Sequence, residues 1–407
     1  MISVVAGKRK KIDESQLLNL RHVRRAGELF AELRDVGCQR DTGDNRKLFF
    51  SDYCSWILFY AMNPAIDSMR MLQLSSELER TQSSLGLQRF SIGAFSEAPD
   101  AFDASRLKPI AAQLSVRMRQ LGTASKHSDF GYVVQLADST LLRTLPKLAK
   151  TRYVQRRDGE QYHGWRVHME LEVGFPSSSR FTVTGARKGG DERKVLKRHV
   201  RRGCCYVTDR GYHDVGLFNE IHDHESRYVC RVKDGLKHIV LDDLDLSDEQ
   251  RAAGVISDQI VLMGQDRQQP PNHVTRLVIV KAEVHPKRTA RGTQDSSGRI
   301  LLVTDLTSEE SCAEEVGLLY HYRWTIELFF RFLKQILGMN HLLGHSEEAV
   351  RIFVYCMVIS CMLLFLWTGL QPNKAMVMML SFYLTGLASL EELIRFIERQ
   401  RKNKTAS

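Results

Sequence analysis

The sequence lacks the features that mark zinc-binding, secreted and repeat proteins. Its eight cysteines form no CxxC pair, so a zinc site of the usual spacing is not supported. The basic run at residues 8–11 follows the first residues at once, without the apolar region and cleavage site of a secretory signal. The chain also has no internal repeat and no low-complexity tract. These absences indicate a cytoplasmic globular protein whose cysteines are buried free thiols.

Negative charge is scarce relative to positive charge. The chain has 58 Lys and Arg residues against 48 Asp and Glu residues, which gives a formal net charge of +10. A basic excess suits a polyanionic partner such as nucleic acid, although many basic proteins bind none. With 407 residues, 43% of them hydrophobic, the chain can form two or three structural units, or one domain with a large insertion.

One long run without charge occupies residues 352–370 and approaches the length of a membrane span. We interpret it as a helix buried on all sides in a large core and expect no membrane association. A single membrane span is the alternative. A second apolar stretch, at residues 375–387, would complete a helical hairpin that closes one face of the catalytic core.

The first part of the chain, residues 1–125, has a helical pattern. Apolar residues recur at helical spacing over 17–33 and again over 51–62, and Ser91 is placed to cap a short helix. We expect a DNA-binding domain here, with an ordinary helical bundle as the equal alternative. The basic run at 8–11 could then be a DNA-contacting arm or a solvated terminus.

Strand patterns begin near residue 131. Strands are predicted at 132–136, 165–173 and 181–184, followed by a basic helix at 191–202, a strand at 204–208, a helix at 215–222 and a strand at 227–232. This is the element order of a ribonuclease H-like α/β core, and residues 126–233 are predicted to form its first part.

The rest of the chain is predicted in three parts. Residues 234–306 carry further strand patterns at 256–263, 274–280 and 300–303, which we interpret as a β-rich insertion. Residues 307–350 return to the core with one long helix at 308–337. Residues 351–407 form a helical C-terminal region.

Three carboxylates are candidate metal ligands. Asp138 and Asp209 are each predicted just past the end of an apolar strand, so that neighbouring strands would bring them together at one sheet edge. Mg²⁺ prefers few protein carboxylates and completes its shell with water and phosphate oxygens. Two such ions stabilise the attacking and leaving oxygens in phosphoryl transfer, and a third carboxylate usually holds the second ion. Glu327, on the long helix, is the candidate.

The residues around Glu327 form a mixed-charge stripe. Helical geometry aligns Tyr320, Arg323, Glu327, Arg331 and Lys334 along one face. An acid among cations suits a metal ligand beside a DNA backbone. A solvated face with ion pairs between successive turns explains the same pattern. The other face is expected to pack on the sheet through a set of apolar residues: Trp324, Leu328, Phe329, Phe332 and Leu333.

The spacing Tyr320-x2-Arg323-x3-Glu327-x6-Lys334 matches, gap for gap, the Y-R-E-K signature of transposases of insertion-sequence family four. The segment 209–212 (DRGY) is similar to that family's second-aspartate motif, and 138–140 (DST) resembles its first. The resemblance covers about residues 125–370, including the family's β-rich insertion between the second aspartate and the glutamate.

The resemblance implies a transposase that hydrolyses phosphodiester bonds at element ends and joins the freed 3′-OH to target DNA. Asp138, Asp209 and Glu327 would be the catalytic ligands of two Mg²⁺ ions, with Mn²⁺ as a substitute. The partners would be double-stranded DNA, carrying terminal inverted repeats or the target, and a second copy of the chain in a homodimer on DNA. Whether cleavage passes through a hairpin stays open.

DNA contacts are expected from two groups of residues. By the resemblance, Tyr320, Arg323 and Lys334, with Arg331 on the same stripe, would hold DNA near the cleaved strand. A basic cluster before the second aspartate could grip phosphates or form a solvated helix face; its members are Lys197, Arg198, Arg201 and Arg202. Two other functions stay open: a ribonuclease H-like nuclease without strand transfer, and a transposase-derived DNA-binding regulator.

Several other residues are interpreted as structural. Asp305 stands where related proteins often have Asn; we expect it to cap the turn before the long helix, with metal ligation as the weaker alternative. Trp165 and Trp324 are expected to pack in the core. His222 and His224 are expected to be surface histidines. An acidic loop without a cation is predicted at residues 242–248, which include four aspartates.

Overall fold

The computed structural model describes residues 26–36, 40–41, 46–63, 65–121, 130–144, 153–155, 161–174, 180–185, 191–263, 270–282, 298–371, 373–384 and 386–406. The chain divides into two compact units. The helical unit consists of Met1–Leu114 and Phe332–Ser407, and the sheet unit is Ser115–Arg331.

Among the described residues in the first half of the helical unit, all helices but two are shorter than ten residues. The helices are α1 (Leu33–Val36), α2 (Phe50–Met62), α3 (Met69–Glu77), α4 (Glu79–Leu85), α5 (Ile92–Glu97) and α6 (Leu107–Leu121), which continues into the sheet unit. The predicted helix at 51–62 is confirmed by α2. Ser91 caps α5 as expected, because its side chain accepts a hydrogen bond from the Ala94 N–H. The helix predicted at 17–33 and the basic run at 8–11 lie largely or wholly outside the described residues.

Aromatic side chains fill the core of this unit. Helix α2 is buried along almost its whole length. Its Phe50 ring stacks on Phe102 with ring centroids 4.6 Å apart, and its Tyr53 ring lies 4.3 Å from Phe95. Burying such rings contributes a large part of the free energy of folding. Because α2 is apolar on all sides, it needs partners around its circumference.

The long apolar run forms α12 (Glu347–Thr368), one of those partners. By length and composition α12 could cross a membrane, but 83% of its most apolar window is buried inside the protein. Its polar groups are satisfied within the helix: Ser360 Oγ donates to the Cys356 carbonyl at 2.8 Å and Thr368 Oγ1 donates to the Leu364 carbonyl at 2.6 Å. The buried-helix interpretation is therefore supported.

The partners of α12 differ from the expected ones. We predicted that it packs on the catalytic core, whereas it lies in the helical unit and packs against α2. The second apolar stretch forms α13 (Lys374–Leu384), which packs with α14 (Leu390–Ala406) around Met376, Leu393 and Ile397. An apolar pattern predicts burial but does not specify which surface covers it.

In the described residues of the sheet unit, ten strands form one sheet. They are β1 (Val133–Thr144), β2 (Tyr153–Gln155), β3 (Gln161–Glu172), β4 (Arg180–Gly185), β5 (Cys204–Thr208), β6 (Arg227–Val232), β7 (His238–Asp243), β8 (Val255–Met263), β9 (Thr275–Lys281) and β10 (Arg299–Thr304). Its helices are α7 (Glu192–Lys197), α8 (Val215–Asp223), α9 (Asp248–Ala252), α10 (Ala313–His321) and most of α11 (Arg323–Gln335).

Five strands have the ribonuclease H-like arrangement. Their spatial order is β4-β3-β1-β5-β6, in which β1 pairs antiparallel with β3 and β3 with β4, while β1, β5 and β6 run parallel. Helix α8 connects β5 to β6 and covers the sheet, where the Phe218 ring stacks on Tyr228 at 4.2 Å. The fold is thus the predicted ribonuclease H-like α/β core.

The strands that the structure describes in the insertion extend this same sheet. Strand β10 pairs with β6, and β9, β8 and β7 follow in antiparallel order. Three of these four strands were predicted, but β7 was missed. The acidic loop predicted at residues 242–248 is also wrong, because Asp242 and Asp243 lie on β7 and Asp248 begins α9. The side chains of β7 are nearly all exposed, so its sequence does not alternate between apolar and polar residues as a half-buried strand does.

Two helix predictions need correction. The basic helix expected over 191–202 ends at Lys197. The long helix expected over 308–337 is two helices, α10 and α11, which meet at Tyr322. Tyr322 keeps a helical backbone conformation, with φ −60° and ψ −22°, so the change of hydrogen-bond pattern is local.

Candidate active site

Asp138 lies within β1, not after its end. Strand β1 continues to Thr144 because its second half pairs with β3, where Asp138 is opposite Met169. The parallel pairing of β1 with β5, however, ends at Leu136 opposite Val207. Asp138 is therefore the second residue beyond that pairing, and it lies at the carboxyl edge of the parallel strands.

Asp209 follows β5 directly and begins a tight turn. It precedes the 3₁₀ turn Arg210–Tyr212, and its Oδ1 accepts a hydrogen bond from the Gly211 N–H at 2.8 Å. Since Leu136 pairs with Val207, and Asp138 and Asp209 each come two residues later, the two aspartates are level across the sheet edge. The sheet register thus brings both carboxylates to one place.

Glu327 is linked to Asp138 through Arg323, which lies one turn earlier on α11. Nη2 of Arg323 is 2.5 Å from Oε1 of Glu327, and its Nη1 is 3.9 Å from Oδ2 of Asp138. The Arg323 side chain is only 13% exposed, which strengthens these interactions relative to a surface ion pair. One guanidinium therefore bridges two of the three predicted carboxylates.

Electrostatic repulsion is built into this cluster. Burial is the main reason that the pKa of Asp138 is raised to about 7. The negative charges of Asp209 and Glu192 raise it further, whereas the Ser139 N–H and the Arg323 guanidinium lower it. Crowded carboxylates of this kind are stabilised by a cation among them.

The residues present fit a hard divalent cation. The donors are carboxylate oxygens, which Mg²⁺ and Mn²⁺ prefer, whereas the Cys230 thiol reaches only the backbone carbonyl of Asp209, at 3.4 Å. Arg323 already places a positive charge between Asp138 and Glu327. Asp138, Asp209 and Glu327 are the side chains that would hold such an ion.

The remaining signature residues occupy different environments. Tyr320 is 7% exposed, and this burial raises the pKa of its phenol. The guanidinium carbon of Arg323 lies 5.5 Å from the Tyr320 ring centroid. Arg331 is exposed and its guanidinium carbon lies 6.0 Å from the Trp324 ring centroid. Lys334 lies on the same helix, about two turns after Glu327.

The expected apolar face of α11 is only partly correct. Phe329, Phe332 and Leu333 are buried, but Trp324 is 42% exposed and Leu328 is 45% exposed. The prediction that Trp324 packs in the core is therefore wrong. Trp165 is 7% exposed and lies in the core as expected.

The basic cluster at 197–202 is mostly engaged by acids of the sheet unit. Lys197 Nζ is 3.3 Å from Glu220 Oε2, and Arg202 pairs with Glu225. Arg201 is half-buried and its Nη2 lies 3.3 Å from Glu170 Oε2. Arg198 is exposed.

Sequence reasoning missed Glu192 as a member of the cluster. It is the first residue of α7, where an acidic residue has an ordinary explanation, because it interacts favourably with the positive end of the helix. Glu192 Oε1 accepts a hydrogen bond from Ser139 Oγ at 2.6 Å and pairs with Arg166. Its sequence position, between the first and second aspartate motifs, gives no signal of this contact.

Asp305 lies at the opposite edge of the sheet. Its carboxylate accepts the Tyr228 N–H at 2.9 Å and lies 2.9 Å from His222 Nδ1, so it caps no turn before the helix. Tyr228 is the second residue of β6, whereas Asp209 contacts Cys230, which lies nearer the other end of that strand. Asp305 therefore lies too far from Asp138 and Asp209 to share a ligand with them.

A second group of possible ligands surrounds Asp305. Ligand atoms of His222, His273 and Asp305 lie within 4.8 Å of one another. The two imidazole rings, however, stack with centroids 4.3 Å apart and an interplanar angle of 17°. Because imidazole lone pairs lie in the ring plane, stacked rings do not converge on one ion. His222 is thus half-buried in a polar contact, and His224 is exposed.

The known proteins to which the chain is similar in sequence include two described as transposases. A probable transposase for an insertion sequence element of Geobacillus stearothermophilus is 26% identical over 249 residues, which cover 59% of this chain and 60% of that protein. A putative transposase of Sinorhizobium fredii is 25% identical over 280 residues, covering 68% of this chain and 70% of that one. The matched region thus spans about 60–70% of these relatives.

A structural comparison adds only a distant likeness. The cryo-EM structure of a piggyBac transposase synaptic complex with hairpin DNA aligns with 94% of this chain and 84% of that chain, at a TM-score of 0.43 and 12% identity. The family model described as the transposase DDE domain matches residues 129–363, which contain the whole carboxylate cluster and most of the sheet unit. The chain belongs to the transposase DDE domain family.

Proposed function

We propose that this protein is a DNA transposase that cleaves DNA at the ends of an insertion sequence and joins the freed ends to target DNA. The observation that carries the proposal is the level placement of Asp138 and Asp209 at one sheet edge, with Glu327 linked to Asp138 through Arg323. Membership of the transposase DDE domain family supports the same conclusion.

The carboxylates act as ligands in this proposal. Asp138 and Asp209 approach from the rigid sheet and Glu327 from α11, so the cluster combines two fixed donors with one from a helix. Two Mg²⁺ or Mn²⁺ ions held there would stabilise the attacking and leaving oxygens of an in-line displacement. Arg323 would turn from its carboxylate partners toward the scissile phosphate, since guanidinium groups bind phosphate oxygens well.

DNA binding is proposed for the signature helix and its surroundings. Tyr320, Arg323, Arg331 and Lys334 would contact the backbone near the cleaved strand. Of the basic cluster, Arg198 is the best candidate for a phosphate contact. The other members, Lys197, Arg201 and Arg202, would first have to leave their acidic partners.

The larger assembly is also part of the proposal. We assign end recognition to the helical residues 1–125, catalysis to the core in 126–233 and 307–350, and structural support to 234–306 and 351–407. Two element ends must be processed together, so a homodimer on double-stranded DNA is proposed. The formal charge of +10 favours association with the bacterial nucleoid in the cytoplasm.

Labelled DNA carrying the terminal repeats of the element that encodes the protein tests the proposal. With Mg²⁺, the wild-type protein should nick these ends and join them to a target plasmid. Asp138→Asn, Asp209→Asn and Glu327→Gln should each bind DNA but lose cleavage by at least about a thousandfold, as expected when a site acts as one unit. Asp242→Asn, a change on the exposed edge strand β7, is the matched control and should cleave normally.

The alternative functions give distinct results. Cleavage without joining would identify a nuclease, and binding without cleavage by the wild-type chain would identify a DNA-binding regulator. Near wild-type cleavage by any one of the three variants would remove that residue from the site.

A further inference from the structure

Glu192 adds a fourth carboxylate beside the three expected ones. It is held at the start of α7, where the Asp191 side chain accepts the Arg193 N–H at 3.0 Å. Its side chain is 21% exposed. The inference developed below rests on the proposed function, because it concerns how the same site is organised.

One oxygen of Glu192 connects it to Asp138. Oε1 accepts a hydrogen bond from Ser139 Oγ at 2.6 Å. The backbone N–H of the same serine donates to Asp138 Oδ1 at 2.7 Å. Ser139 therefore binds both carboxylates, one through its side chain and one through its main chain, and fixes their relative position.

The other oxygen of Glu192 faces the turn that carries Asp209. A Cβ atom built on Gly211 would lie 3.1 Å from Glu192 Oε2 and 3.0 Å from Asp209 Oδ1. The absence of a side chain at Gly211 thus lets the two carboxylates border the same small space. A larger residue there would have to displace one of them.

Arg166 on β3 balances the charge of Glu192. Their ion pair joins a third strand to the cluster, because Arg166 is opposite Leu141 on β1. With Oε1 occupied by both Ser139 and Arg166, this oxygen is committed to protein contacts. The role of Glu192 is therefore different from that of Asp138 and Asp209.

We propose that Glu192 is a positioning residue, which holds Asp138 through Ser139 and keeps the site negative for a divalent cation shared with Asp209. Its second oxygen borders the same space as the Asp209 carboxylate at Gly211 and adds negative charge there. Removing its charge leaves Arg166 uncompensated beside the cluster, which disfavours a bound cation. Removing only the Ser139 hydroxyl keeps the charge but releases the mechanical link.

Cation binding by the full-length protein, without DNA, gives a test that does not depend on activity. Mn²⁺ would be titrated and its free concentration followed by electron paramagnetic resonance. Glu192→Gln should raise the Mn²⁺ dissociation constant about tenfold, as expected for one unit charge removed a few ångströms away in a partly screened site. Glu192→Asp, which keeps the charge, should recover most of the affinity.

The control is Glu220→Gln. Glu220 also pairs with a basic residue of the sheet unit, Lys197, and its side chain is 31% exposed, but the charges that act most on Asp138 are those of Asp209, Arg323 and Glu192. This variant should bind Mn²⁺ within about twofold of wild type, as is usual for a screened surface pair.

Ser139→Ala tests the link independently of the charge. It should weaken Mn²⁺ binding about threefold, as expected for the loss of one hydrogen bond. If Glu192→Gln does not fold, as judged by its thermal unfolding, this variant carries the test. Wild-type affinity in Ser139→Ala and in any folded Glu192→Gln protein would overturn the inference.

The failure of this inference differs from a failure of the proposed function. If the wild-type chain binds no Mn²⁺, or if Asp138→Asn/Asp209→Asn binds it as tightly as wild type, the proposed site itself is wrong and the inference falls with it. If the double variant loses Mn²⁺ while Glu192→Gln retains it, the site stands and only the positioning role is refuted.

Discussion

A buried ion pair connects two of the inserted strands with the segment that precedes α10. We expect its loss to lower the free energy of unfolding. Arg276 on β9 and Asp258 on β8 are 2% and 4% exposed. Nε of Arg276 donates to Asp258 Oδ1 at 2.7 Å and Nη2 donates to Oδ2 at 2.5 Å. Nη1 donates to the Ser311 carbonyl at 2.7 Å and to two further carbonyls in the segment before α10.

The perturbation that we consider is Asp258→Asn. It conserves shape but leaves the guanidinium of Arg276 as an uncompensated charge in the protein interior. Breaking a buried pair from one side typically costs about 3–5 kcal/mol. That is a large fraction of a stability of about 5–15 kcal/mol. The double change Asp258→Asn/Arg276→Gln removes the stranded charge, so it should cost about 2 kcal/mol less than the sum of the single changes.

Hydrogen exchange under native conditions is the suitable assay, because the two compact units need not unfold together. Amides of β8, β9 and the start of α10 should lose protection in Asp258→Asn, whereas α2 and α12 in the helical unit should not. The reasoning is refuted if Asp258→Asn costs less than about 1 kcal/mol, or if the double variant is as unstable as the sum predicts.

Three further predictions follow from single contacts. Lys334→Ala should lower the slope of log affinity for element-end DNA against log salt by about one unit, measured by fluorescence anisotropy; an unchanged slope would favour ion pairing within the helix. Leu364→Lys places a charge at a side chain of α12 that is 3% exposed, so thermal unfolding should show the helical unit destabilised by about 3 kcal/mol or more. Met378→Lys, at a position that is 42% exposed, is the control and should change thermal unfolding little. Glu310 should stabilise the fold above about pH 4.5: partial burial raises its pKa, but hydrogen bonds, chiefly from Arg227, lower it to about 2. The stability difference between wild type and Glu310→Gln, measured by urea unfolding from pH 7 to pH 3, should therefore be constant above pH 4.5 and shrink as the pH falls below it; a difference that stays the same throughout would contradict this assignment.

Local sequence patterns were sufficient to predict most strands of the core. Strands β5 and β6 were predicted at their exact bounds, because short apolar runs between turn residues report burial directly. Strand β7 was missed because its side chains are mostly exposed and three of its apolar residues are consecutive: Ile239, Val240 and Leu241. A strand at a sheet edge need not alternate.

The candidate site was predicted in part. Asp138 and Asp209 were predicted from the ends of apolar strands and Glu327 from its place on the signature helix, but Asp138 lies inside β1. What matters is where the pairing of β1 with β5 ends, and pairing between distant segments leaves no periodic trace in either one. Trp324 was placed in the core by its apolar character alone, although a residue on an amphipathic helix can face either side.

The sequence by itself determined the order of most core strands and helices, the burial of the apolar run 352–370 and the spacing of the signature residues, because each depends on neighbours a few residues apart. Only the tertiary structure decided that the inserted strands continue the catalytic sheet, that α12 packs on α2, and that Glu192 reaches Ser139 across 53 residues. These contacts depend on strand register and on which surfaces remain to be covered once the local elements have formed. Many pairings satisfy the same hydrophobic pattern, and only the packed molecule selects one of them.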